Sequence, residues 1–292
     1  MNVDFSKIKL KFKECNYCGG SLQIQNWGAM VCDNCNSVAV IVPPTVKELA
    51  NYYANFLRTY SGGGRSKGSK KRQHKWAEAY LNVVIQYSAE GKDLIDIGPA
   101  NNPFPILAEN HGFNVSVMDF SRPKSLPKSI SFIKGSLNCN SKFLLNHSEQ
   151  YDVVTAWAVI EHCLDIQMAF DTLVQFCKPG GIIILTTPEI GTISEKFGAG
   201  RTSWFYPPEH IYLISRKAIK VLFKSRGCEE MLSKKFEYNI LRWLLRYGLI
   251  VAEGLIGYIF KKIWEDKWVA LRSTRLTRSS GITLCVYRKD IK

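Results

Sequence analysis

From Trp76 onward, short apolar runs alternate with amphipathic stretches, and no other feature of the chain constrains its fold as tightly. The runs KDLIDIG, FNVSVMDF, SISFIKG, YDVVTAWAV, IIILTTPE and GITLCVYRK have the length and bounding turns of strands. HKWAEAYLNVVIQYSAE, PFPILAENHG, IQMAFDTLVQFCKPGG and RKAIKVLFKSRG read as helices. Strands that alternate with helices pair in parallel and bury both faces under those helices, so the expected architecture is an α/β, Rossmann-like sheet with helices on both faces. No period of about 20–50 residues recurs, which excludes a solenoid.

The ends of the first two strands carry the chemistry. Asp96 closes the first strand and Asp119 closes the second, about twenty residues on, where an acid suits the two ribose hydroxyls of an adenosine-containing cofactor. The loop after the first strand chooses between cofactors. A dinucleotide requires G-x-G-x-x-G, so that backbone amides can crowd a pyrophosphate at a helix N-terminus. Here Gly98 is followed by Pro99, Ala100, Asn101, Asn102 and Pro103. S-adenosylmethionine (SAM) carries no phosphate. It needs an acid near its ammonium group and a close backbone pass beside its methionine part, which Gly98 and the small Ala100 allow. Asn102 with Pro103 then caps the following helix.

A different pattern marks the N-terminus. Cys15 and Cys18 stand two residues apart, Cys32 and Cys35 likewise, with thirteen residues between the pairs. Each C-x-x-C turn aims two thiolates at one ion, and SLQIQNWGAMV between them reads as a short hairpin, so the four sulfurs predict a tetrahedral zinc ribbon. Four thiolates leave no open coordination position, which makes the zinc structural. The other cysteines, Cys139, Cys163, Cys177, Cys228 and Cys285, have no ligand spacing and read as buried, inert thiols. PPTVKELANYYANFLRTY follows as a proline-led helix. The expected organisation is a zinc ribbon over 1–43, a helix and flexible basic linker over 44–75, and a catalytic domain over 76–292.

The formal charge of +14 is uneven. Residues 216–292 hold 18 Lys and Arg against 7 Asp and Glu, and GGGRSKGSKKRQHK (62–75) holds no acid. Such clusters favour an anionic partner or serve as a solubilising face. The N-terminal segment has no apolar run of signal-peptide length, which predicts a cytoplasmic protein with its cysteines reduced.

Taken together, DLIDIG with Gly98, VMDF with Asp119, YDVVTAWAVIEHCLD, CKPGGIIILTTPE and WFYPPEHIYLISRKAIKVLFKSRG resemble the class I SAM-dependent methyltransferases, in the branch of ubiquinone-pathway O-methyltransferases and small-molecule and sugar methyltransferases. The resemblance covers roughly Trp76 to Lys292. It implies that Asp96, Gly98 and Ala100 line the methionine side of SAM, and that Asp119 and Phe120 hold the ribose and flank the adenine. Ser136 and Leu137 stand where the family often has an acid near the adenine, and Trp157 closes the fourth strand at the cofactor edge. Four-cysteine ribbons followed by a tyrosine-bearing helix precede this domain in several sugar C-methyltransferases. Tyr206, Glu209 and His210 loosely match the active-site aromatic and Glu-His of those enzymes.

Methyl transfer is an in-line displacement from a sulfonium, and an alcohol acceptor must also lose its proton. His162 and His210 are the candidate bases, each equally open to a structural hydrogen-bonding role; Glu161 is a capping or orienting candidate. The fourth strand ends in TAWAVIEH rather than the Asn/Asp-Pro-Pro-aromatic of nucleic-acid amino-methyltransferases, which argues against base methylation. The expected reaction is O-methylation, with C-methylation as an alternative, of a small biosynthetic intermediate that is phosphorylated, nucleotide-linked or lipid-linked. An RNA methyltransferase and a non-catalytic interaction protein of this fold are the rival readings. In the apolar segment Asn239 to Trp264, within a helical insertion at about 239–270, Glu253 falls in the middle and the uninterrupted apolar parts are too short to span a bilayer. It reads as a lid or core helix pair, with peripheral contact at the inner membrane surface as the other reading.

Overall fold

A computed structural model of the chain describes residues 14–25, 29–49, 51–52, 67–88, 91–137, 146–188, 190, 205, 207–236 and 282–291. The expectations for Tyr206, Cys139 and the 239–270 insertion lie outside these residues. Among the described residues, no helix is long and apolar enough to cross a membrane.

Two sheets organise the chain. The smaller comprises β1 (Leu22–Gln25), β2 (Ala29–Cys32) and β3 (Val38–Val40), all antiparallel, and is completed by the distant two-residue strand β9 (Tyr212–Leu213). The larger has seven strands: β4 (Asp93–Ile97), β5 (Asn114–Asp119), β6 (Ser131–Lys134), β7 (Tyr151–Trp157), β8 (Cys177–Pro188), β10 (Cys228–Phe236) and β11 (Ile282–Lys289). Their spatial order is β10-β11-β8-β7-β4-β5-β6, parallel from β8 through β6, with β11 antiparallel to both of its neighbours. From β4 the chain winds outward through β5 and β6, then returns to β7 on β4's other side. The crevice between β4 and β7 is therefore the switch point at which open α/β sheets bind ligands.

Alternating side chains of the central strands feed two cores. On one face Leu94, Val153, Ile182 and Ile184 meet Ala77, Tyr80 and Val84 of α1 (Lys67–Tyr87) and Phe104 and Ala108 of α2 (Phe104–Asn110). On the other, Ile95, Ile97, Val154, Ala156, Ile183 and Leu185 meet α3 (Ile166–Phe176) and α4 (Arg216–Lys224). This second core runs on through Cys15, Tyr17, Val38 and Val40 of the ribbon without a break. The described ribbon residues thus do not form a separate bead: Tyr17 packs edge-on to Tyr212 with ring centroids 6.0 Å apart.

Local rules explain three helix starts. Asp165 caps α3 by accepting from Met168 N at 3.0 Å, and Ser215 caps α4 by accepting from Ala218 N at 3.1 Å. After Pro43 and Pro44 the chain is helical at 46–49 and 51–52, opened by a reciprocal box in which Glu48 accepts from Thr45 N and Glu48 N donates back to Thr45 Oγ1. Three expectations need correction. The basic linker does not extend to residue 75, because α1 already begins at Lys67; Lys, Arg and Gln are good helix formers, and they outweigh Gly68. The third helix stops at Phe176, and CKPGG belongs to β8. Strand β10 was not anticipated, since a register shift between Glu230 and Leu232 breaks the two-residue alternation by which strands are read.

Candidate active site

The cofactor candidates converge on the carboxyl ends of four adjacent strands, β7, β4, β5 and β6. Asp96 is fully buried in β4; Thr155 Oγ1 donates to its Oδ1 at 2.6 Å, and Oδ2 has no partner among the described residues. Burial, reinforced by the charge of Asp119, pushes the Asp96 carboxyl well above its usual range. A buried carboxylate oxygen without a donor is what the ammonium of a methionine moiety would satisfy.

Gly98 has φ of +63°, and a Cβ there would come within 3.1 Å of Val159 Cγ2, so glycine alone suits this pass. Ala100 takes the left-handed conformation that a second glycine would have supplied, with φ of +50°. Its amide donates to Asp119 Oδ2 at 3.2 Å, and the amide of Phe120 donates to Oδ1 at 2.6 Å. Burial raises the Asp119 carboxyl above its ordinary value in spite of these donors. Ala158, just after β7, is also left-handed, with φ of +57°. Non-glycine residues avoid this region, so the two strained alanines flank the switch point where ligand geometry would reward them.

The remaining candidates separate. Phe120 is 65% exposed beside Asp119. Ser136 is half-buried at the end of β6, whereas Leu137 is packed into the core and its carbonyl accepts from Thr172 Oγ1. Trp157 is buried too, stacked on Tyr80 at 4.0 Å and edge-on to Phe104, with its Nε1 unpartnered among the described residues. Tyr80 was not a sequence candidate. Its hydroxyl, pushed up to about 12 by burial, bonds Thr186 close to Asp96 and Glu161.

A second cluster lies beyond β7. Residues Ile160–His162 form a 3-10 turn that brings Glu161, His162 and His210 together, with possible ligand atoms within 4.8 Å of one another. The imidazoles of His162 and His210 meet edge to face at 4.8 Å. His162 Nδ1 lies 2.8 Å from the carbonyl oxygen of Glu209. A carbonyl only accepts, so Nδ1 carries the hydrogen and the lone pair of a neutral ring sits on Nε2. Glu161 is buried, its Oε2 accepts from Thr187 Oγ1 at 3.1 Å, and burial raises its carboxyl above the usual range. Glu209 accepts through Oε2 from Tyr52 Oη at 2.9 Å, a contact spanning 157 residues that no local spacing announces.

The four ribbon cysteines also come together. Cys15 and Cys35 sulfurs are 3.7 Å apart and those of Cys18 and Cys32 are 3.5 Å apart, against an edge of about 3.8 Å for a tetrahedron with Zn–S bonds of about 2.3 Å. A Cβ at Gly20 would come within 2.9 Å of Cys32 Sγ, so that turn admits only glycine against the sulfurs. The donor set and its cradle fit zinc. Cys163, Cys177 and Cys228 are buried, which raises their thiols and keeps them unreactive.

Residues 69–233, more than half of the chain, match the family model described as a methyltransferase domain. Among curated proteins, the ubiquinone biosynthesis O-methyltransferase of Rickettsia typhi is 31% identical over 110 residues, 36% of this chain and 45% of that protein. The enzyme of the same name from Salmonella typhi is 26% identical over 151 residues, 47% of this chain and 60% of that protein. The match thus spans roughly half the length of these relatives. Among solved structures, the 4+2-cyclase SpnF superimposes with a TM-score of 0.54 at 14% identity, over 86% of this chain and 98% of its own. A Burkholderia thailandensis 1,6-didemethyltoxoflavin-N1-methyltransferase, crystallised with its substrate and S-adenosylhomocysteine (SAH), gives 0.52 at 9%, over 92% and 99%. These two likenesses establish the fold, and the cyclase shows that the fold alone does not fix the chemistry. The matched domain, the strand order and the site at the switch point together establish that the chain belongs to the methyltransferase-domain family.

Proposed function

We propose that this protein is a SAM-dependent O-methyltransferase acting on a hydroxyl of a small biosynthetic intermediate, with a structural zinc in its N-terminal ribbon. The observation that carries the reading is the His162 tautomer. Nδ1–H is committed to the Glu209 carbonyl, which puts the lone pair of the neutral ring on Nε2, in the turn after Val159, the residue that a Cβ at Gly98 would meet.

Bound SAM would supply an electrophilic methyl group on a sulfonium. Asp96 would meet its ammonium group, Gly98 and Ala100 would admit its backbone-like part, and Asp119 with Phe120 would hold ribose and adenine. His162 Nε2 would take the acceptor's proton as the oxygen attacks. Glu161, buried and bonded to Thr187, would fix the turn that carries His162, and His210 would pack the imidazole edge-on. The curated relatives named for ubiquinone biosynthesis support a hydroxyl acceptor. The basic C-terminal quarter favours one that is phosphorylated, nucleotide-linked or lipid-linked.

The test is transfer of label from methyl-labelled SAM to a panel of hydroxylated acceptors, charged and neutral, with RNA included. The expected result is label on a small hydroxylated acceptor that falls by roughly 10²–10⁴-fold in His162→Gln. Label confined to RNA, with a steep salt dependence, would replace this reading with the nucleic-acid one.

A further inference from the structure

His210 stands between two residues that the N-terminal module holds. On one side, Glu209 accepts from Tyr52 Oη through its carboxylate and from His162 Nδ1 through its carbonyl. On the other, the Ile211 carbonyl accepts from Val40 N at 3.1 Å while its amide donates to the Glu161 carbonyl at 2.9 Å. Glu161, His162 and His210 are thus tied by backbone bonds to β3, and by a side chain to the helix that follows it.

The cysteine cluster is wired into the same strand. Cys35 Sγ lies 3.2 Å from Ser37 Oγ, one residue before β3. Ser37 Oγ accepts from Ser215 N at 3.1 Å and contacts Ser215 Oγ at 3.3 Å, just beyond β9. Ser37 and Ser215 are both buried, so these bonds have no water to replace them. A metal-bound Cys35 thiolate gives the Ser37 hydroxyl an anionic acceptor and fixes that hydroxyl's direction. Pairing of Val38 with Leu213 and of Ala39 with Tyr212 then sets the register of β9 and of His210 two residues before it.

We infer that the ribbon is a positioning device for the His162–His210 centre: metal at Cys15, Cys18, Cys32 and Cys35, acting through Ser37, β3 and Tyr52, sets the place of His210 and the tautomer of His162. The inference rests on the proposed role of these histidines for its effect on catalysis, though not for its geometry. Ser37 and Tyr52 are positioning residues. Both act at the acceptor side, while the strand ends that carry Asp96 and Asp119 make no bond to the ribbon among the described residues.

The test uses the full chain, with zinc removed by a chelator and then restored. Long-range nitrogen NMR of the five histidines reads the tautomers, and calorimetry reads SAH binding. Zinc removal is expected to convert His162 from one Nδ1–H tautomer to a mixture and to slow methyl transfer roughly 10–100-fold. SAH affinity should stay within about twofold, as for a distant and independent site, and restored zinc should reverse both changes. Ser37→Ala and Tyr52→Phe keep all four cysteines and guard against general unfolding. Each should retain one zinc and SAH binding while showing the same mixed tautomer and a slower transfer. An unchanged His162 spectrum in both variants overturns the inference, as does an unchanged spectrum in zinc-free, SAH-binding protein. If His162→Gln transfers methyl groups at the full rate, the catalytic reading alone fails, because the tautomer shift is read independently of turnover.

Discussion

The two sides of the switch point are built in opposite ways. The cofactor side comes from consecutive units, β4, α2 and β5, in which Asp96, Gly98, Ala100 and Asp119 fall within one short stretch. The proposed acceptor side is gathered from the helix after the ribbon, the end of β7, β8 and the residues just before β9, with Tyr52 and Glu209 joined across 157 residues. A local unit is specified by its own turns and caps. A dispersed one exists only when the whole fold has closed, so it should be the more easily lost of the two.

The largest effect expected is at the metal. Cys32→Ser should abolish zinc content, from one ion per chain to none, since three remaining thiolates forfeit much of the ~10–16 kcal/mol that a structural site contributes. Metal analysis of purified protein checks this, and wild-type protein that purifies folded but with no zinc, before any chelator, would break the account of the ribbon. Next is His162→Gln, which removes the proposed proton acceptor and should spare SAH binding. A loss of SAH affinity equal to the loss of rate would show that the two sides are not separable.

A pH effect sharpens the cofactor side. The Asp96 carboxyl sits above its unfolded value because it is buried, so the folded protein holds a proton that the unfolded chain releases. Stability without cofactor should therefore fall as pH rises from about 4, the unfolded carboxyl value, through the raised folded value. Asp96→Asn should reduce that slope, to which the raised Asp119 and Glu161 carboxyls also contribute, and stabilise the cofactor-free protein at neutral pH by roughly 1–3 kcal/mol, the cost of an unsatisfied buried group. Thermal melts from pH 4 to 8 check it, and parallel curves for the two proteins would contradict the burial argument. The smallest effect is at Ala100→Gly. Relief of a left-handed alanine, about 1–2 kcal/mol, is offset by about 0.5–1 kcal/mol of added chain entropy, so melting should rise only slightly.

This contrast also explains what could be read from the chain directly. The parallel sheet, the switch-point acids and the cysteine pairs follow from short periods and fixed spacings, and each appears where its pattern placed it. The replaced glycine at Ala100 was legible, but its left-handed φ and its bond to Asp119 were not, because they depend on the neighbouring strand. Burial of Leu137 and Trp157 likewise depends on Thr172 and Tyr80, which lie on other elements. The pairing of β3 with β9 could not be foreseen from two residues of strand, yet it ties the ribbon to the strand that follows His210.

Calorimetric titration of wild-type and Asp119→Ala protein with SAH tests the central claim most directly. The account predicts a clear binding heat for wild type and an affinity lower by about 10–100-fold in the variant, as expected when a charged hydrogen-bonding group worth about 1.5–3 kcal/mol is removed. No binding heat from wild-type protein at high concentration would contradict it, and would leave a methyltransferase fold without its cofactor.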